Sequence, residues 1–122
     1  AVVFGNFHGI VTEHTEMLDI SHFSKIVSYT QDVEGAPPHL VYYVLHGASG
    51  LKDEDIKLAI KAGITNIHFN TELRVAYHDK LKEEFANPAT SAETTPYKYL
   101  GPAAAEVKKL VIAKIRLFMG KS

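Results

Sequence analysis

Three apolar, β-prone runs punctuate the chain, and each closes in a small polar group before the next stretch of helical period. Ala1 to Phe4 is closed by Gly5-Asn6-Phe7-His8-Gly9. Leu40 to Leu45, with the unbroken Val41-Tyr42-Tyr43-Val44, is closed by His46-Gly47-Ala48-Ser49-Gly50. Ile64 to Phe69 runs directly into Asn70-Thr71. An apolar run without polar alternation suits a strand covered on both faces, as in a parallel sheet. The intervening segments repeat apolar residues at three- and four-residue steps. Asp19 to Tyr29 places Ile20, Phe23, Ile26 and Val27 on one face, with Asp19 or Ser21 as cap. Asp53 to Ala62 does the same with Ile56, Ala59 and Ile60, and Gly63 suits the C′ position. Thr71 is a candidate cap for a helix to about Phe85, with Leu73, Ala76, Tyr77 and Leu81 on one side. Asn87 to Pro96 reads as a polar loop. A last helix, from roughly Ala103 to Phe118, carries Val107, Val111, Ile115 and Phe118 as its stripe. This strand-helix order requires parallel strands joined by crossovers, and so an α/β fold.

At 122 residues the chain allows one modest domain, and no second domain is expected. Three parallel strands leave two open edges and little cover for either face, so the unit would be marginal alone. Two architectures fit: part of a larger doubly wound sheet, or part of a (β/α)8 barrel. Ala1-Val2-Val3-Phe4 starts inside an apolar run, which suggests a piece of a longer protein. Composition removes other classes. With 13 Lys+Arg against 14 Asp+Glu there is no basic field for nucleic acid or an anionic membrane. No Cys is present, which excludes thiol nucleophiles, disulfides and Cys-bound metals. No apolar run approaches the roughly 20 residues of a bilayer span, and no signal peptide is expected in the sequence.

Polar groups at the C-terminal ends of successive parallel strands occupy the position of a (β/α)8 active site. His8 and His46 are the leading candidates there. Each precedes a Gly, and neutral imidazole is a good Zn²⁺ donor. A hydrogen bond to a loop carbonyl would equally occupy either ring, and two histidines fall short of the three protein ligands of most catalytic zinc sites. Gly47 and Ser49 suit close approach of an anion. Asn70 and Thr71 open a helix, where free N–H groups favour phosphate. A tight turn and a simple cap are the alternatives. His68 lies inside its strand and points either to a barrel lumen or to the helix layer. His14, His22, His39 and His78 read as exposed or capping groups. Tyr42 and Tyr43 read as core, Arg74 and Arg116 as structural, and Lys57, Lys61, Lys108 and Lys109 as solvated helix faces.

Val44-Leu45-His46-Gly47-Ala48-Ser49-Gly50 resembles the signature of the class II, zinc-dependent fructose-bisphosphate aldolases. Asp53-Glu54-Asp55-Ile56, Ala59 to Ile64 and Asn70 to Tyr77 continue the likeness. Phe4 to Gly9 is similar to an earlier zinc-ligand strand, and Val111 to Phe118 with Gly120 to the terminal helix. The resemblance covers nearly the whole chain. It implies the last three β/α units of a (β/α)8 barrel plus a C-terminal helix, over residues 1–122, with five units upstream. It implies His8 and His46 as metal ligands, and Gly9, Gly47, Ser49, His68, Asn70 and Thr71 at the substrate phosphate. Zn²⁺ is the implied cofactor, with a monovalent cation as a further candidate. No catalytic acid or base is assigned here, because the family's first zinc-ligand histidine and catalytic aspartate lie upstream. His68 stands where the family usually has an Asn, and Thr12 to Glu16 departs from the usual loop.

The function so implied is a lyase of carbohydrate metabolism. It cleaves fructose 1,6-bisphosphate reversibly to dihydroxyacetone phosphate and glyceraldehyde 3-phosphate. The setting would be cytoplasmic glycolysis, in a homodimer or larger assembly, with no nucleic acid or membrane partner. Tagatose 1,6-bisphosphate is the alternative substrate. A non-catalytic truncated barrel piece, or a phosphosugar-binding module, is the alternative role. The 122 residues alone are expected to be inactive. His8 and His46 are expected to emerge from one end of a three-stranded parallel sheet, close enough to share a metal, with helices on one face only.

Overall fold

The computed structural model describes residues 3–6, 17–32, 37 and 40–121. Six elements follow in order: α1 (Ile20–Asp32), β1 (Tyr43–Leu45), α2 (Asp53–Lys61), β2 (Ile64–Ile67), α3 (Thr71–Ala86) and α4 (Pro96–Phe118). The chain divides into two compact units, residues 1–69 and 70–122.

In the first unit β1 and β2 pair in parallel through the α2 crossover, with Tyr43 opposite Ile64, Val44 opposite Asn66 and Leu45 opposite Ile67. An irregularity falls between Tyr43 and Val44. The pairing extends beyond β2, because the His68 N–H donates to the Leu45 carbonyl at 3.0 Å. The core beside this ladder is aromatic and aliphatic. Phe23 is fully buried, stacks on Phe4 at 4.8 Å between centroids, and meets Tyr43 edge-on at 5.3 Å. Leu45, Ile56 and Ala59 are also fully buried. These are the faces that the helical spacing of α1 and α2 predicts.

Local chemistry explains the helix ends. Asp19 Oδ1 accepts the His22 N–H at 2.8 Å, so Asp19 rather than Ser21 caps α1. Asp53, Glu54 and Asp55 fill the first turn of α2 and Lys61 the last, both favourable to the helix dipole. Gly63, at φ 119°, follows as the sharp exit to β2 and donates to the Ile60 carbonyl at 3.1 Å.

Several expectations are corrected. The second strand is shorter than Leu40 to Leu45, because Leu40, Val41 and Tyr42 are exposed and outside the ladder. Tyr42 is therefore not core, whereas Tyr43 is. The third strand stops at Ile67 rather than Phe69. Val3 to Asn6 is not a strand. The Phe4 N–H donates to Asn6 Oδ1 at 3.0 Å, a local turn, and its carbonyl accepts from the Asp19 N–H at 2.7 Å, a bond to the segment before α1, so neither group serves a strand ladder. Residues 1 and 2, the rest of that first expected strand, lie outside the described residues.

The second unit is the helix pair α3 and α4, packed side by side. Lys114 Nζ and a Glu72 carboxylate oxygen lie 2.9 Å apart between the two helices, and Phe85 meets Tyr99 at 5.1 Å between centroids. α3 begins with Thr71 as its first helical residue, so Asn70, not Thr71, occupies the cap position. α4 begins at Pro96, seven residues before the expected start. Pro96 fits the first turn, where no N–H is required, whereas Pro102 lies inside the helix and forgoes one main-chain bond. No residue of the expected stripe is buried: Val107 and Phe118 are half-buried and Val111 and Ile115 exposed, while the buried residues of α4 are Ala103 and Leu117. Ahead of α4, Glu93 Oε1 accepts the Thr95 N–H at 3.0 Å and Glu93 Oε2 contacts Lys98 Nζ at 2.7 Å.

Two predictions follow from these contacts. Phe23→Ala should lower unfolding free energy by about 3–5 kcal/mol, whereas the exposed Leu58→Ala should change it by less than about 0.5 kcal/mol, in urea denaturation. Lys98, with Thr95, holds the Glu93 carboxyl at about 2 rather than its ordinary 4.5. A carboxyl depressed in the fold stabilises it above the unfolded-state value, and that contribution disappears as pH falls through about 2. A carbon-13 titration of Glu93 should give that low midpoint, and Lys98→Ala should raise it.

Candidate functional site

The C-terminal ends of β1 and β2 bring two imidazoles together. His46 directly follows β1, and His68 directly follows β2. The main-chain bond from His68 N–H to Leu45 O locks the two strand ends in register. Their rings meet edge-to-face, with centroids 4.4 Å apart and planes at 87°. The two Nδ1 atoms lie 3.2 Å apart, a hydrogen-bond distance in which one ring donates and the other accepts. His46 is half-buried and His68 exposed, so the pair sits at a rim open to solvent.

A third residue steadies this end. Asn6 Nδ2 donates to the His46 carbonyl at 2.9 Å while Asn6 Oδ1 accepts from the Phe4 N–H. One amide thus ties the first expected strand-end segment to the second. Sequence reading placed Asn6 in a turn and gave it no role at the site. The only available signal was its position in a polar group equivalent to the one that follows β1.

Beyond His46 the loop turns twice through glycines in the left-handed region, Gly47 at φ 69° and Gly50 at φ 97°. A side chain at Gly50 would meet nothing within 4 Å, so backbone conformation rather than space requires glycine there. Ala48 and Ser49 turn inward and are buried. A loop of small residues with a buried hydroxyl can approach an anion closely. Asn70 and Thr71 open α3 in the second unit, and Asn70 makes no side-chain capping bond. The first N–H groups of that helix therefore receive no acceptor from the cap side chain.

His8 and Gly9 lie outside the described residues, so the expected meeting of His8 with His46 does too. Among the described residues, no group of three or more His, Cys, Asp or Glu side chains gathers where it could hold a metal ion. The His46–His68 pair supplies two imidazole donors. Their 3.2 Å separation is close to the roughly 3.3 Å between two donors on a tetrahedral Zn²⁺ with bonds of about 2.0–2.1 Å. The pair alone supplies two of the donors that a zinc site requires.

The other histidines with described positions do not join this cluster. His22 lies exposed at the start of α1, and His78 Nδ1 contacts Asp79 Oδ1 at 2.9 Å on an exposed face of α3. A cleft of about 350 Å³ lies at the opposite end of the strands, lined in part by Val27, Tyr43, Gly63 and Ile64. It contains none of the candidate residues. No helix among the described residues is long and apolar enough to cross a membrane.

Comparison with known proteins places this geometry in context. Residues 1–122 match the family described as fructose-bisphosphate aldolase class-II. A fructose-bisphosphate aldolase of Streptococcus pyogenes serotype M3 is 34% identical over 125 residues, covering 97% of this chain and 40% of that protein. The D-tagatose-1,6-bisphosphate aldolase subunit GatY of Klebsiella oxytoca is 34% identical over 111 residues, covering 91% and 35%. Among solved structures, the fructose-bisphosphate aldolase of Campylobacter jejuni aligns with a TM-score of 0.71 at 23% identity, over 93% of this chain and 38% of that one. The YdjI aldolase of Escherichia coli K12 aligns at 0.69 and 29%, over 96% and 37%. The chain thus spans about two-fifths of the length of these relatives.

If Asn6 steadies the rim, Asn6→Ala should cost about 0.5–1.5 kcal/mol in urea unfolding and broaden the His46 and His68 ring resonances.

Proposed function

The chain belongs to the class-II fructose-bisphosphate aldolase family, and from that membership we propose that it forms the C-terminal part of a (β/α)8 barrel whose complete protein cleaves fructose 1,6-bisphosphate. The products are dihydroxyacetone phosphate and glyceraldehyde 3-phosphate, and the reaction is reversible. The observation that carries this reading is the position of the imidazole pair. Two histidines and a glycine-rich loop stand at the C-terminal ends of adjacent parallel strands. That is the end at which barrel enzymes bind and transform substrates.

In this reading His46, with His8, contributes to a zinc site. The metal, when bound, acts as a Lewis acid that polarises the ketose carbonyl. A monovalent cation is a further candidate cofactor. The chain's own residues bind and orient. The loop at Gly47 and Ser49, with Gly9, and the helix start at Asn70 and Thr71 receive substrate phosphate through main-chain N–H and hydroxyl groups. Fixing the phosphate holds the carbonyl end of the ketose at the strand rim and reduces the entropy cost of reaction. The acid or base that moves the substrate proton comes from the part of the barrel that the matched relatives possess beyond this chain's span. A cytoplasmic, homodimeric or larger assembly belongs to the same reading. Exposed apolar side chains on the second unit, including Val75, Val111 and Ile115, are consistent with cover from further protein.

Tagatose 1,6-bisphosphate is the second reading, favoured by the 34% identity to the GatY subunit, equal to that with the streptococcal aldolase. Triose phosphate release from each ketose bisphosphate tests both. A full-length protein containing this sequence should be active with added Zn²⁺, and His46→Ala should lower its turnover by at least about 10²-fold. The 122-residue chain alone should give no measurable release, because it lacks the positioned acid or base. Unchanged turnover in His46→Ala would refute the metal assignment. Robust turnover by the isolated chain would refute the need for the remaining barrel.

A further inference from the structure

We propose that Asn6 is a positioning residue for the site: its side-chain amide fixes the peptide group between His46 and Gly47, and so sets the place of the His46 ring and of the Gly47 N–H together. The inference rests on the roles proposed for His46 and Gly47 and names the residue that holds both in position. Asn6 is itself seated on a fixed base. Phe4 is buried, stacks on the fully buried Phe23 at 4.8 Å between centroids, and has its carbonyl held by the Asp19 N–H at 2.7 Å. Gly5 lies at φ 102°, and a Cβ there would collide with the Met17 carbonyl oxygen. Glycine thus lets this segment lie against the residues before α1. Asn6 Oδ1 then accepts the Phe4 N–H at 3.0 Å, which fixes the amide and leaves Nδ2 to donate to the His46 carbonyl at 2.9 Å.

The accepting peptide group sits where the chain most needs an anchor. His46 is the first residue past β1, and Gly47, in the left-handed region at φ 69°, is the next. Glycine gives the backbone its greatest freedom and has no side chain to pack. A peptide group is planar, and in the trans form its C=O and N–H point to opposite sides. Holding the His46 carbonyl therefore also aims the Gly47 N–H, a donor of the proposed phosphate loop. Asparagine suits this bridge, because one short amide carries an acceptor for Phe4 and a donor for His46, whereas an ionised carboxylate could only accept.

The test compares a full-length protein containing this sequence with its Asn6→Ala and Asn6→Leu variants. Leu keeps roughly the volume of Asn without either hydrogen-bonding arm. Ile56→Val is the control, because it loosens the core of the same unit without touching the rim. Competition with a chromophoric chelator should show zinc bound about 10-fold more weakly in both Asn6 variants. In Ile56→Val the affinity should stay within about 2-fold of the unsubstituted protein. In the unsubstituted protein, which needs no variant, a side-chain amide hydrogen of Asn6 should exchange at least about 10-fold more slowly than those of the exposed Asn66. Unchanged zinc affinity in Asn6→Leu, an equal loss in Ile56→Val, or an unprotected Asn6 amide would overturn the inference. Histidine ¹⁵N spectra of the unsubstituted protein check the His46 role separately. A zinc response at the His46 ring, with unchanged affinity in the Asn6 variants, would overturn the inference and leave that role standing. No response at that ring would overturn both.

Discussion

One main-chain hydrogen bond, from the His68 N–H to the Leu45 carbonyl, sets the geometry on which the candidate site depends. It extends the parallel pairing of β1 and β2 past the last strand residue. Side-chain direction alternates along a strand, so a slip of one residue would turn either histidine to the other face. Register is in turn fixed by what lies beneath. Leu45 is fully buried, and Tyr43 packs against Phe23, which also stacks on Phe4. Each such side chain contributes about 1.5–3 kcal/mol when fully withdrawn from water. A slip would expose that set, at a cost well above that of one lost ladder bond. The polar rim is therefore positioned by apolar packing below it.

Much of this unit is legible in the sequence because independent signals agree. For α2, the acidic first turn, the Ile56 and Ala59 spacing and the following Gly63 all point to one helix and one exit. Where expectation failed, a local signal met a competing contact. Val3 and Phe4 have the composition of a strand, but the Asn6 side chain and the Asp19 N–H take the Phe4 main-chain groups. Leu40 to Tyr42 are β-prone yet precede the Tyr43–Ile64 pair that begins the ladder, so no strand among the described residues receives them. α4 starts seven residues before the expected Ala103 and carries Pro102 inside the helix, where it forgoes the main-chain bond to the Lys98 carbonyl.

The site was legible as a set of residue types and positions but not as pairs. Sequence reading placed His46 at a strand end and His68 inside its strand, without indicating that their rings meet. That contact depends on the relative register of β1 and β2, to which α2 and its connections contribute, and no residue pattern records it directly. The role of Asn6 was hidden for the same reason. An asparagine beside glycine is ordinary turn chemistry, and only three-dimensional proximity directs its amide to a carbonyl 40 positions away.

The two units differ in what holds them, and this bears on how the site would be completed. The first has a core of fully buried side chains around one ladder. The second has no fully buried residue on α3, and its helices are joined partly by the Glu72–Lys114 ion pair and the Phe85–Tyr99 contact. Partly exposed ion pairs contribute little, and one aromatic contact adds about 0.5–1.5 kcal/mol beyond its buried area. Val75, Val111, Ile112 and Ile115 meanwhile remain open to solvent. Helices in a (β/α)8 barrel obtain most of their stability from apolar faces laid on strands and neighbouring helices. A helix pair with such faces uncovered is stabilised strongly by whatever protein covers them. In the proposed barrel, the surroundings that complete the active site would also cover these faces, which couples assembly of the site to the stability of its C-terminal helices.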